Sequence, residues 1–561
     1  MRSRPGAMVR RRGGWTVMAV ALLMAGCGAR NPLPTMPAWE SLPAGSPLRS
    51  HTLRPEDAWL RHYLMFGERE KAVAAFERGS PLAPSDRLLR ALQQAVMFHE
   101  MGEYARSNEL LAWAEVEAEL RYTRSLTREA ASLLINDRVL AYTPPAGELA
   151  MIPYYGMLNH LALRNLDGAA VEARKAVALL ERLDHEPVEE CNRNGMIQYV
   201  AGLVQEAAGD TNDAVVSLRQ AERSLRECEG SPGRPAATVA EDLYRLARAT
   251  GLVEVADSVA ERYSLDTDAR DPGSAGLGEL LVIVEQGFVA HRTQDALHIP
   301  IPDDDLEHLD DEDGAARLAA RISRELLLGQ DPRWRHHRWR YGRSAWADAL
   351  DGAYILRLAW PTYRLEANRP REVRVGVNEV LAQPVPFGNL SVVMREELAD
   401  ERPEMLTRLL LRGLTKYLIT REVEEKVEEK HGETAGFILG RIANIAGNQL
   451  EQADTRSWSL LPDRISLLRL RLPAGTHEIR LETIGESGES RVRSLGTITL
   501  QPGGLLVLCE RVFSRDGEAQ WNDEFDPVDG WLRQEVEGDS IPGSLTADTL
   551  SAGGDENAPG T

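Results

Sequence analysis

Five times between Glu56 and Asp266 a short polar turn precedes a helical stretch with a small residue on one face, followed four and seven positions later by further small or apolar residues. The stretch "GEREKAVAAFERG" has Gly67 before Ala72, Phe76 and Gly79, and "GEYARSNELLAWA" has Gly102 before Ser107, Leu111 and Ala114. "NLDGAAVEARKA" places Leu166 and Asp167 before Ala169, Ala173 and Ala176, and "GDTNDAVVSLRQA" places Gly209 before Ala214, Leu218 and Ala221. The weakest is "GLVEVADSVAERY", with Gly251, Ala256, Ala260 and Tyr263. Residues at these intervals share one helix face, and a small side chain there lets a second helix approach closely. The order of five restricts the region to stacked helical hairpins, which bury a continuous core only by packing on their neighbours.

The pattern resembles the tetratricopeptide repeat, a helical hairpin of about 34 residues. The interval between matches is irregular, widest from Ser107 to Ala169, where a further helix at about 126–141 is expected. A generic α-solenoid is the alternative reading. After Pro272 the periodicity changes to strand-length runs such as "GELLVIVEQGFVA", "AYILRLAWPTYRL" and "REVRVGV", divided by Gly or Pro. One helical interruption is expected from Pro403 to Leu450. The runs "LRLPAGTHEIRLE" (Leu470–Glu482) and "ITLQPGGLLVL" (Ile498–Leu508) resemble small β-sandwich modules of envelope proteins, with a Pro-Ala-Gly turn expected between paired strands. The expected fold class is a TPR-like α-helical solenoid followed by an α+β region with small β-sandwich-like C-terminal strands.

The N-terminus carries Arg2, Arg4, Arg10, Arg11 and Arg12 without an acid, then an apolar run from Trp15 to Ala25. The run is about half of the ~20 residues that cross a bilayer, so it reads as the core of a secretory signal. It ends Leu23-Met24-Ala25-Gly26-Cys27, which resembles a bacterial lipobox with Met24 in the usual leucine position. The resemblance implies cleavage before Cys27, lipidation (palmitate-type acylation) of Cys27, and, with Gly28 next, sorting to the outer membrane. The expected domains are a lipoprotein signal peptide (1–26), a Pro/Gly/Ser-rich lipidated tether (27–55), the solenoid (56–266), the α+β region (273–534) and a disordered tail (535–561).

The formal charge is −21, and loss of the five signal arginines leaves the chain more acidic still. That balance argues against nucleic acid as a partner. Of the four cysteines, Cys191 and Cys228 flank the fourth hairpin, whose antiparallel helices bring those ends together; they form either a disulfide or two unpaired thiols. No CxxC spacing occurs, so zinc or thioredoxin-like chemistry is not expected.

Two clusters are candidate sites. The acidic run "DDDLEHLDDEDG" (Asp303–Gly314) fails the calcium-loop spacing at Leu309 and Ala320 and reads as a solvated loop, with no metal expected. "DPRWRHHRWRYGRSAW" (Asp331–Trp346) gathers Trp334, His336, His337, Trp339, Tyr341 and Trp346 among arginines. It is either a contact patch for an acidic partner or glycan, or a loop whose tryptophans pack on the β region. The stretch Ala435–Leu450, with small residues at helical spacing, reads as a buried helix rather than a membrane contact. No GxSxG, P-loop or GxGxxG motif occurs, and neither catalytic residue nor cofactor is expected.

Finally, "LINDRVLAYTPPAGELAMIPYYGMLNHLALRNLDGAAVEARKA" together with "EQADTRSWSLLPDRISLLRLRLPAGTHEIRL" resembles an uncharacterised bacterial family of tetratricopeptide-bearing lipoproteins. Its members are often encoded near lipoproteins that activate penicillin-binding proteins, which implies an envelope role. The expected function is a lipid-anchored, periplasm-facing adaptor whose solenoid binds a protein or peptide. The alternative is a peptidoglycan or polysaccharide binder acting through the β region. Oligomeric state is left open.

Overall fold

The computed structural model describes residues 38, 41–43, 45–77, 84–128, 140–183, 191–229, 234–266, 276–301, 306, 309, 312–328, 354–366, 368–431 and 452–514. The signal segment, Cys27 and the C-terminal tail lie outside them.

Ten helices form five consecutive hairpins: α1 (Pro55–Met65) with α2 (Arg69–Glu77), α3 (Arg87–Glu100) with α4 (Tyr104–Arg128), α5 (Met151–Ala162) with α6 (Leu166–Leu183), α7 (Cys191–Ala208) with α8 (Thr211–Glu229), and α9 (Arg234–Ala249) with α10 (Val253–Tyr263). The five turns share one geometry. In each, the residue five positions before the small residue has positive φ: Gly67 (76°), Gly102 (78°), Arg164 (55°), Gly209 (86°) and Gly251 (77°). The N–H of the residue after it donates to the carbonyl five positions back, as from Glu68 to Tyr63, Glu103 to Phe98, Asn165 to His160, Asp210 to Gln205 and Leu252 to Ala247. This is a Schellman closure, which satisfies carbonyls orphaned at the helix end and favours glycine. The third turn alone seats a bulky residue there.

Two expectations change in this region. The segment from Ser41 is not a free tether: Leu42, Leu48 and Leu53 are buried in the solenoid core, and the Arg49 guanidinium donates to the Leu42 carbonyl (2.7 Å). Its prolines exclude a long helix but leave these leucines free to pack. Of the further helix expected at 126–141, residues 126–128 complete α4 and a single turn, Ala146–Leu149, precedes α5. Residues 129–139 lie outside the described residues.

Beyond the solenoid come β1 (Leu277–Gln286), β2 (His291–Ile301), α11 (Glu312–Leu328), β3 (Tyr354–Arg364), β4 (Glu372–Val377), β5 (Val380–Ala382), β6 (Val385–Asn389), α12 (Leu390–His431), β7 (Arg464–Pro473), β8 (Gly475–Ile484), β9 (Ser490–Leu500) and β10 (Leu505–Val512). Helix α12 begins well before the expected Pro403, where the Asn389 side chain accepts from the Val392 N–H (3.3 Å). The strands form two four-stranded sheets, β10-β1-β7-β6 and β5-β4-β8-β9, and a separate β2-β3 pair. Strand β1 is parallel to β10 and antiparallel to β7. The four-stranded sheets pack face to face through Leu280, Val282 and Val284 of β1, Val373 and Val375 of β4, and Ile479 and Leu481 of β8. The β2-β3 pair packs on α11 and α12 through Ile299, Leu356, Leu358 and Leu410.

The expected hairpins are corners instead. Strands β7 and β8 flank Pro473-Ala474-Gly475 but belong to different sheets, as do β9 and β10 around Gln501–Gly504. Both corners are stapled to the start of β1: Ala474 N–H donates to the Gly276 carbonyl (2.7 Å), and Gly503 N–H to that of Leu277 (2.7 Å). A Cβ at Gly278 would lie 2.7 Å from the Gln501 carbonyl oxygen, so only glycine permits this approach.

Candidate functional site: the inner seam of the solenoid

Strand β1 is apolar on both faces because it has two neighbours. Leu280, Val282 and Val284 meet the second sheet, while the alternate Leu281 and Ile283 join the solenoid core. The first helix of every hairpin contributes to the resulting seam, so this chain's own C-terminal region covers that face.

At one end the irregular segment Arg456–Leu461, which turns at Ser459–Leu460, is held by solenoid side chains. Arg61 of α1 donates through Nε to the Ser459 carbonyl (2.9 Å) and through Nη2 to that of Val289 (2.6 Å). Gln93 of α3 donates to Ser459 Oγ (3.0 Å) and accepts from the Leu460 N–H (3.3 Å). The Trp458 N–H donates to Glu148 Oε1 (2.9 Å), whose other oxygen accepts from the Tyr142 hydroxyl. Arg456 pairs with Asp86 (3.0 Å), donates to the Leu140 carbonyl (3.0 Å) and lies over the Tyr142 ring. The Tyr142–Pro145 and Ala453–Trp458 stretches, far apart in sequence, are therefore two halves of one structural clamp.

In the middle, Glu285 of β1 accepts from the hydroxyls of Tyr154 and Tyr155 (both 3.1 Å) and from Arg511 Nη1 (2.9 Å). Arg61 and Arg511 both lie against the Phe288 ring, at 4.9 and 5.5 Å from its centroid. At the far end, Arg469 of β7 pairs with Asp242 (2.7 Å), Glu206 (3.0 Å) and Glu279 (2.5 Å). Tyr199 donates to Asp242 (2.6 Å) and its ring stacks on Phe387 (4.8 Å, 8°).

Burial sets the electrostatics. Loss of water raises the Glu148 carboxyl to about 7 despite Arg292 and the Tyr142 and Trp458 hydrogen bonds. Burial likewise pushes the Cys509 thiol up, with Glu285 and Glu100 adding to the effect. Burial opposes ionisation of Asp242 too, yet Arg469, Arg245 and the Tyr199 hydroxyl together hold its pKa below the ordinary value. All three groups are engaged in packing. Among the described residues no three His, Cys, Asp or Glu side chains are grouped to hold a metal.

The small-residue positions lie between the helices. Ala72, Ser107, Ala169, Ala173, Ala214, Leu218 and Ala256 are fully buried, and Leu111 and Ala260 nearly so. Phe76 lies in α2, its side chain outside the described residues, as are the side chains of Cys191 at the start of α7 and Cys228 near the end of α8. Trp334, His336, His337, Trp339, Tyr341 and Trp346 also lie outside, as does most of the acidic run, of which Leu306 and Leu309 are buried. Glu285, Arg511, Arg469, Arg61 and Glu148 were not singled out in the sequence. A lone carboxylate inside "LLVIVEQ" is the one available clue.

No family model and no curated protein matches the chain. Among solved structures it is similar to BtubC from P. vanneervenii, with 14% identity over 37% of this chain and 77% of that one, at a TM-score of 0.26. It is also similar to MamA of AMB-1, with 18% identity over 39% of this chain and 98% of that one, at a TM-score of 0.21. The architecture described above is a series of paired helices followed by a mixed α/β region with small sheets.

Proposed function

We propose that the chain is a lipid-anchored, periplasm-facing adaptor of the cell envelope that acts by binding a protein partner rather than by catalysis. Because the first helices are occupied by the β region, the partner docks on the second helices. The observation that supports this is the outer face of α4, where Trp113, Val116 and Leu120 are 44%, 61% and 47% exposed at positions i, i+3 and i+7. Grouped exposed apolar side chains of this size mark interaction surfaces, whereas isolated ones need no explanation. The lipidated Cys27 confines the solenoid to a membrane surface and raises its local concentration there. No helix among the described residues is long and apolar enough to cross a membrane, so in this reading the acyl chains supply the attachment.

The test is crosslinking in intact cells, capture through a C-terminal tag and identification of the bound proteins, with wild type beside Trp113→Ser/Val116→Ser/Leu120→Ser. Loss of reproducible partners in the triple variant supports the reading. Undiminished capture moves the binding surface elsewhere, and recovery of glycan fragments without protein moves the function to the β region. Separately, Cys27→Ala should release the protein from membrane fractions; unchanged fractionation and mass would defeat the anchor.

A further inference from the structure

The two four-stranded sheets end in edge strands of opposite character. Strand β9 carries the usual protection against further pairing: Arg491 and Arg493 are exposed, and its register to β8 skips a residue beside Gly496 (φ 91°). Strand β10 is also an edge, yet residues 505–509 are five apolar residues in a row, and the register to β1 runs without a shift from Leu505 to Val512.

Backbone direction alternates along β10. The Gly504 and Val512 carbonyls accept from the Glu279 and Gly287 N–H groups (2.8 and 2.9 Å), so the even-numbered residues of β10 bond to β1. The N–H and C=O groups of Leu505, Val507, Cys509 and Arg511 therefore face the outer edge, where no described residue pairs with them. Ser514 keeps the alternation, since its N–H donates to the Asn368 carbonyl (2.8 Å), on the side of Gly287.

We propose that residues 518–526 add to β10 as an antiparallel strand and close this edge. Asp516-Gly517 is the two-residue signature of a type I′ hairpin turn. Such a turn makes Arg515 and Glu518 a hydrogen-bonded pair, and counting on by twos pairs Arg511 with Asn522, Cys509 with Glu524 and Val507 with Asp526. These are the β10 residues whose backbone groups lie open, a match that the opposite parity would lose. The same register sets Trp521 opposite Val512 and Phe525 opposite Leu508, on the side of the second sheet, and places polar Gln520, Asn522, Glu524 and Asp526 on the other. Asp523 falls opposite Glu510, whose partner Arg493 is 54% exposed and carries the charge to meet it. Pro527 ends the strand with its missing N–H turned away from β10. A segment delivered by the strand it pairs with outcompetes a second copy or a partner peptide through its effective concentration.

Amide hydrogen exchange resolved by residue, on the full chain, tests this. In the wild type the N–H groups of Val507, Cys509 and Arg511 should be protected along with those of Leu506, Leu508 and Glu510, which bond to β1. Trp521→Ser/Phe525→Ser should abolish protection of the first three and leave the second three unchanged. Should that variant unfold and expose all six, a second measurement decides. In a Cys509→Ser background, Glu510→Cys/Asp523→Cys, a directly opposed pair, should oxidise to an intramolecular disulfide, and Glu510→Cys/Asn522→Cys should not. Fast exchange of Val507, Cys509 and Arg511 in the wild type, protection that survives the double serine variant, or a disulfide formed only between copies would each overturn the assignment.

Discussion

Glu285 and Arg511 stand 2.9 Å apart on adjacent parallel strands, their side chains 0% and 1% exposed, at the point where the sheet meets α5. The carboxylate is further held by two tyrosine hydroxyls. Removing one partner strands the other charge in the interior, whereas replacing both with apolar groups removes both desolvation costs. Glu285→Ala should therefore destabilise the chain by about 3–5 kcal/mol. Glu285→Leu/Arg511→Met should lose less than either single change. Urea titration of the four proteins checks this, and strict additivity would show that the two residues act independently.

The turn at Gly102 requires φ of 78°, and a Cβ there would meet nothing within 4 Å. The constraint is purely torsional. Gly102→Ala should cost about 1–2 kcal/mol, the usual penalty of a side chain in the left-handed region. Arg164, at 55° in the equivalent turn, already bears that strain. Arg164→Gly should be neutral or stabilising by up to about 1 kcal/mol, read as an unchanged or raised Tm.

Glu148 supplies a pH dependence. Its folded pKa of about 7 lies above the ordinary 4.5, so the folded state holds a proton that the unfolded state releases. Stability from this group is highest below about pH 4.5, declines as pH rises, and levels off above about pH 7. The full span is on the order of 3 kcal/mol. Glu148→Gln, which keeps an acceptor for the Trp458 N–H, should flatten that slope in denaturant titrations between pH 5 and 8. An unchanged slope would place the dependence on other groups.

Close packing between helices sets a volume limit at the small residues. Ala214 is fully buried, and a Cβ at Gly202 on the facing helix would lie 2.8 Å from Leu218 Cδ2. Ala214→Leu should cost about 1–3 kcal/mol through overpacking, and Leu218→Ala about 2–5 kcal/mol through a cavity. Calorimetry distinguishes both from Val216→Ser, whose side chain is 61% exposed and which should change little.

By itself the sequence determined the local structure. Hairpin order followed from the register of Ala72, Ser107, Ala169, Ala214 and Ala256, because one turn geometry places its left-handed residue five positions earlier each time. Strand-length apolar runs likewise located β1, β7 and β9. Tertiary structure decided what these elements face. Pro473–Gly475 looks like a hairpin turn, since a corner and a turn need the same glycine; only the second sheet, packed on Leu280 and Val282, separates β7 from β8. The seam was illegible for a related reason. Arg61, Gln93, Glu148, Glu285, Arg469 and Arg511 lie far apart along the chain, and a charged residue in an amphipathic pattern reads as solvent-facing until a partner is brought against it. The fold supplies those partners, and in doing so closes the first-helix face of the solenoid with the chain's own strands.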